Sequence, residues 1–320
     1  MVALRKLLLV DLALLALMVL ASRLALVIHE VGGHAVPAKV LGAKGVEVRL
    51  SPLGGGYVSP TFPKPVSTAG TVLFDLGGIA LNLITGAAAW FWARRLASRG
   101  LGYVALLFLG VGSVAGAIVY LACGLYYGSG DPVGFAPKTE DISHLQWAWV
   151  LFLPAAAAVG WFAPPHFLDF LSTQLPTDTA RRRLLVVAAT VTLVAFAYFG
   201  LWFALRDPKI EGSTRAWRIE REITRETLAR VKAETTKPPP PPAQAPAPPP
   251  APIVVRAEEV VDRIPSPLGP LVLYATFLGA GILSICRTRP TPGTATVPPA
   301  LALGLAVLAA ITVALFRCFG

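Results

Sequence analysis

Two of the four histidines in the chain flank a glutamate within one short run, Ile28-His29-Glu30-Val31-Gly32-Gly33-His34. The run closes a long apolar stretch, and ionisable side chains beside hydrocarbon are costly enough to be read first as functional. Neutral imidazoles are good zinc ligands, and a glutamate next to the first can take a proton from a water whose acidity a metal has raised. The plain alternative is a set of polar residues that meet the interface at a helix end. The spacing is unusual. In H-E-x-x-H the histidines are four apart and share a helix face, whereas His29 and His34 are five apart and a regular helix sets them about 140° apart. A π-bulge would return them to one face. Gly32-Gly33 makes that distortion easy, so a bulge or local unwinding is expected there.

The elements that must position this run are mostly apolar. The chain of 320 residues is 55% hydrophobic and 14% charged, with a mean hydropathy of +0.64, while an ordinary soluble domain is about a quarter charged. That leaves little room for a soluble enzyme. Seven runs are long enough to cross a bilayer as helices: 7–28, 71–92, 101–126, 145–163, 184–205, 267–286 and 298–316. Within them the Asp, Glu, Lys and Arg residues are Asp11, Arg23 and Asp75. The expected fold is therefore an all-α polytopic membrane protein of about seven transmembrane helices, with a short hairpin-like β segment after the first. The first helix is read as retained and as running on to about Leu41.

The hairpin-like segment, residues 43–69, starts with Val46-Glu47-Val48-Arg49-Leu50, whose alternation has the period of a half-buried strand. Gly54, Gly55 and Gly56 interrupt it and Tyr57-Val58 resumes it. Irregular backbone at membrane depth must be buried in protein or line a polar cavity. The organisation expected is a membrane core over 1–135, accessory helices over 136–205, a soluble region over 206–264 and a C-terminal transmembrane pair over 265–320. The soluble region divides into a charged helix capped by Ser213 and a polyproline II spacer over 238–252. This Pro-rich loop is either a solvated spacer or a docking segment for a protein partner.

The +10 net charge does not point to nucleic acid, because the cations sit at span ends, where they set topology and meet headgroups of the lipid bilayer. Arg5, Lys6, Arg94, Arg95, Arg99, Arg181, Arg182, Arg183, Arg287 and Arg289 outnumber Lys39, Lys44, Arg49, Lys64, Lys138 and Arg317 on the other side. The N-terminus is thereby expected in the cytoplasm and the Pro-rich loop outside. Cys123, Cys286 and Cys318 have no metal-type spacing and imply no disulfide framework. Arg23, two turns before Glu30, reads first as a helix-packing or topology residue, the alternative being that it orients Glu30 or snorkels to a polar cavity.

The stretch HEVGGHAVPAKVLGAKGVEVRLSPLGGGYV resembles the site-2 protease family of intramembrane zinc metalloproteases. The likeness rests on His29, Glu30, Gly33 and His34, then Leu41-Gly42-Ala43-Lys44, then Pro52-Leu53-Gly54-Gly55-Gly56-Tyr57-Val58. Leu76 to Leu83 is similar to the family's "aGPlaNll" helix, with Asn82 at its asparagine and Gly-Ile in place of Gly-Pro. The likeness covers roughly residues 20 to 135. It implies Zn2+ held by His29, His34 and a later carboxylate, with Glu30 as catalytic base. The family's usual N-x-x-P-x-x-x-LDG motif is absent. Asp131, in Gly128-Ser129-Gly130-Asp131-Pro132, is the best third ligand, since distant members carry an aspartate at a comparable place; Asp75 is the second candidate.

The reaction so implied is peptide hydrolysis in membrane-anchored protein substrates, as in regulated intramembrane proteolysis, by a multi-pass protein of the cell (inner) membrane. A helical substrate must unwind first. The segment around Val46 to Val58 can then take it as an added strand, with Gly54, Gly55, Gly56 and Tyr57, together with Asn82, as the substrate-binding candidates. The rival reading is a catalytically inactive relative that binds transmembrane helices as a scaffold. Its grounds are the five-residue histidine spacing and the missing LDG motif.

Overall fold

A computed structural model describes residues 2–96, 98–134, 143–175, 177–205, 267–288 and 297–319. The charged helix and the Pro-rich spacer expected between 206 and 264 lie outside the described residues. Seven helical segments among those described are long and apolar enough to cross a membrane. The chain is an all-α polytopic membrane protein with one small β hairpin.

The first span, Leu4–Val40, is a composite: α1 (Val2–Val27), a π-helical segment (Ile28–Ala35) and α2 (Val36–Val40). The Val36 N–H donates to the Val31 carbonyl, five residues back. The distortion expected at the glycine pair is therefore a whole π segment that holds the entire His29–His34 run. After it, β1 (Gly45–Leu50) and β2 (Gly56–Thr61) pair antiparallel, with Val48 opposite Val58 and Glu47 opposite Ser59. Then follow α3 (Thr68–Arg95), whose Ser67 Oγ accepts from the Gly70 N–H at 3.2 Å, and α4 (Leu101–Tyr127).

Beyond α4 come the short α5 (Asp131–Gly134) and α6 (Ser143–Gln146), then a 3-10 stretch (Trp147–Phe152) leading into α7 (Leu153–Gln174). Among the described residues the remaining helices are α8 (Ala180–Leu205), α9 (Leu268–Arg287) and α10 (Pro299–Phe319). The fourth span reaches Gln174, past the expected end at Ala163, and passes through Pro164 and Pro165. Pro165 has no N–H for the Trp161 carbonyl four residues back, and Ser284 Oγ on α9 donates to that carbonyl at 2.6 Å. A neighbouring helix thus replaces the bond that proline removes, which is how membrane helices tolerate proline. Proline as a helix terminator is a local rule, and the partner that overrides it here is 123 residues away.

Packing follows the small residues. A methyl group built at Gly160 on α7 would stand 2.3 Å from the Phe277 carbonyl oxygen on α9, so these backbones touch directly. α3 packs along α4, and α1 lies against α4 and α10. The central core joins Val10, Leu14 and Leu17 of α1 to Val104 and Leu107 of α4 and Val159 of α7. Phe196, Phe199 and Phe203 stand exposed along the outer face of α8, where lipid is the compatible solvent.

Candidate metal centre

Three elements meet at the site. The π segment supplies His29, Glu30 and His34; the turn after α4 supplies Asp131; α3 supplies the wall behind them. α4 ends at Gly128 with φ +61°, and Gly130 follows with φ +73°, left-handed conformations that glycine adopts without strain. The Ser129 N–H closes the helix end on the Gly124 carbonyl at 2.9 Å, and the reversal brings Asp131 back toward the π segment.

The Nε2 atoms of His29 and His34 and the Oδ2 atom of Asp131 form a triangle with sides of 3.2 Å. A tetrahedral zinc about 2.0–2.1 Å from its ligands holds those ligand atoms about 3.3–3.4 Å apart. The triangle therefore matches one face of such a coordination sphere, and the three side chains could hold a metal ion together. Burial opposes ionisation of Asp131, but the imidazoles against its carboxylate outweigh that and keep the group well below the ordinary carboxylate range.

The second nitrogens tell the same story. His34 Nδ1 lies 2.6 Å from the Phe74 carbonyl oxygen; it must carry the proton and donate, which turns the Nε2 lone pair toward the triangle. His29 Nδ1 lies 3.3 Å from Asn82 Nδ2, while Asn82 Oδ1 is buried without a partner. Turning the amide over leaves its shape unchanged. It then lets Oδ1 accept from His29 Nδ1–H, which orients the second lone pair inward. Outer partners of this kind typically fix the tautomer of metal-ligating histidines. Three acceptor atoms facing one another at this distance repel unless something positive lies among them, a proton or a metal cation. The donor set fits a metal.

Glu30 is 5% exposed and His34 3%. Two cavities flank them. The larger, about 700 Å³, is lined by Arg23, His29, Glu30, Gly55, Gly56, Asn82, Tyr120 and Trp202, among others. The smaller, about 330 Å³, is lined by Glu30, His34, Gly56 to Ser59, Asp75, Tyr120 and Asp131. Glu30, Gly56 and Tyr120 border both and so form the partition between them.

Each residue singled out from the sequence has a definite place. Asp75 lines the smaller cavity beside Gly134, its Oδ2 buried without a partner, outside the triangle. Gly55 and Gly56 border the larger cavity and Tyr57 the smaller; Asn82 borders the larger while touching His29. The Gly54 carbonyl, by contrast, is taken up by Arg23 at 3.0 Å. Tyr120 went unread in the sequence. Its ring meets His29 edge-on at 5.9 Å and its hydroxyl oxygen accepts from the Asp131 N–H at 3.4 Å. A lone tyrosine within an apolar span carries no motif; only the reversal after α4, which brings Asp131 back beside it, ties it to the site.

Gly78, the glycine of the Gly-Ile pair in the motif-like run 76–83, lies against both imidazoles. A methyl group built there would stand 2.5 Å from His34 Nε2 and 2.7 Å from His29 Cε1, and Gly77 and Gly33 touch backbone to backbone. We expect G78A to lose metal binding although alanine favours a helix over glycine by about 1 kcal/mol. G112A on α4, where nothing lies within 4 Å of the added methyl, should keep the metal and gain thermal stability. Metal stoichiometry and melting temperature of the two variants check this.

In comparison with known proteins, the chain matches no family model, no curated protein and no solved structure.

Proposed function

We propose that the chain is an intramembrane zinc metalloprotease that hydrolyses peptide bonds of membrane-anchored proteins. One observation carries the reading: two imidazole nitrogens and a carboxylate oxygen converge at 3.2 Å next to a buried glutamate, between two cavities, in a helix that crosses the membrane. The likeness of residues 20 to 135 to site-2 proteases supports it.

The residues divide the work. His29, His34 and Asp131 would hold the zinc, which when bound polarises a scissile carbonyl and acidifies water. Glu30 is close to that position but contributes no atom to the triangle, so its carboxylate is free to take a proton from the attacking water and to return it to the leaving nitrogen. Asn82 and the Phe74 carbonyl hold the two imidazoles in their working tautomer. β2 has β1 on one side, and among the described residues no strand on the other. Four consecutive residues of β2, Gly56 to Ser59, border the smaller cavity, so its unpaired edge faces the site. An unwound substrate segment can add there as a strand, its affinity coming from main-chain hydrogen bonds with little demand on sequence.

The test is purified protein, counted for bound metal and assayed on a membrane-anchored substrate in vesicles. About one zinc per chain and cleavage inside or beside the membrane segment are expected. Protein with no stoichiometric metal that still binds transmembrane helices would instead establish the scaffold reading.

A further inference from the structure

We infer that Arg23 is a positioning residue that locks the β hairpin to the helix carrying Glu30 and so sets where the free edge of β2 stands relative to that carboxylate. Arg23 is 4% exposed, within a membrane span. A buried cation at that depth needs partners; besides the Ser22 hydroxyl oxygen at 3.5 Å and the Phe316 ring 5.8 Å away, its partners here are the carbonyls of one turn. Nη1 donates to Ser51 O at 2.7 Å and Gly54 O at 3.0 Å, and Nη2 to Leu53 O at 3.1 Å.

These oxygens belong to the turn between β1 and β2. The turn also closes on itself, the Gly54 N–H donating to Ser51 Oγ at 3.0 Å and the Ser51 N–H to Gly55 O at 2.9 Å. A guanidinium presents its N–H groups in a rigid planar fork, so donation to three carbonyls of one turn fixes both the position and the tilt of that turn. Arg23 and Glu30 are seven residues apart in one continuous helical span, and both border the larger cavity. The hairpin is therefore referenced to the same rigid body as the catalytic base. The fit at the other end is tight: a methyl group built at Gly56 would stand 3.0 Å from Glu30 Cγ. A small swing of the turn would move Gly56, which borders both cavities.

The experiment is hydrogen exchange on the full chain, with R23Q and R23K compared to wild type, alongside metal stoichiometry and cleavage kinetics. In R23Q the amides of β1 and β2 are expected to exchange about 10- to 100-fold faster, because hydrogen bonds from a charged donor are lost. α3, α4 and bound metal stay as in wild type. R23K, with an ammonium in place of the fork, falls between. Unchanged hairpin protection in R23Q overturns the proposal, and so does loss of protection spread over α3 and α4, which would make Arg23 a general fold residue. Should R23Q not purify, wild-type protection in R23K overturns it.

The kinetic part rests on the protease reading: KM should rise several-fold with kcat less affected, since the strand edge supplies binding. The two ideas fail separately. A wild-type protein without peptidase activity removes the protease reading, while the exchange result still decides the role of Arg23.

Discussion

E30Q should abolish peptide hydrolysis while leaving bound metal and folding intact. Glu30 sits beside the triangle of ligand atoms without being part of it, so replacing its carboxylate by an isosteric amide removes no ligand. What goes is the group that accepts and returns the proton, and positioned general acid–base catalysis is worth about 10²–10⁴ in rate. The side chain is 5% exposed, and a neutral amide is less costly to bury than a carboxylate. Thermal stability should therefore hold or rise as activity disappears. That pairing is informative, because a variant that loses activity by unfolding moves both quantities down. Cleavage kinetics, metal analysis and a melting curve on one preparation decide it; activity within a factor of two of wild type would remove Glu30 from the mechanism.

D131N should cost the protein its metal, and D75N should not. Asp131 Oδ2 is 3.2 Å from both Nε2 atoms, whereas Asp75 lies against Gly134 on the wall of the smaller cavity. An amide oxygen at position 131 carries no net charge. Even groups that touch only the ligands are worth about 10–100-fold in metal affinity, so loss of a ligand should weaken binding by more than about 100-fold and leave D131N metal-free after dialysis. Metal stoichiometry of the two variants after dialysis is the measurement. The reverse pattern, with D75N empty and D131N loaded, would put the third ligand on α3.

The spans were legible in the sequence because burial in lipid leaves a one-dimensional record: apolar runs of sufficient length, with polar residues pushed to their ends. The hairpin was legible for a similar reason, the alternation of Val46 to Leu50 and the glycines at 54–56. What the sequence hid is what distant partners decide. The fourth span outlasts Pro164 and Pro165 because Ser284 serves the Trp161 carbonyl. Arg23, read as a packing or topology residue, grips the hairpin turn. At the site, the histidine spacing and the adjacent glycines pointed to a distorted helix. Asp131 came from a likeness to known proteins, since nothing local indicates that a turn 102 residues on returns to His29. Tyr120 had no signal beyond being a tyrosine in a span, and Gly78, although it stands at the glycine of the motif likened to residues 76–83, had none that tied it to the imidazoles.

The π segment, finally, changes how the length of this chain can be read. A residue added to an α-helix rotates everything after it by about 100° and would swing the hairpin and α3 away from their partners. Bonding five residues back absorbs the addition in place, so the surplus stays between His29 and His34 and the frame beyond Ala35 is kept. Counted by turns and not by residues, the motif HEVGGH is H-E-x-x-H with one residue held in reserve.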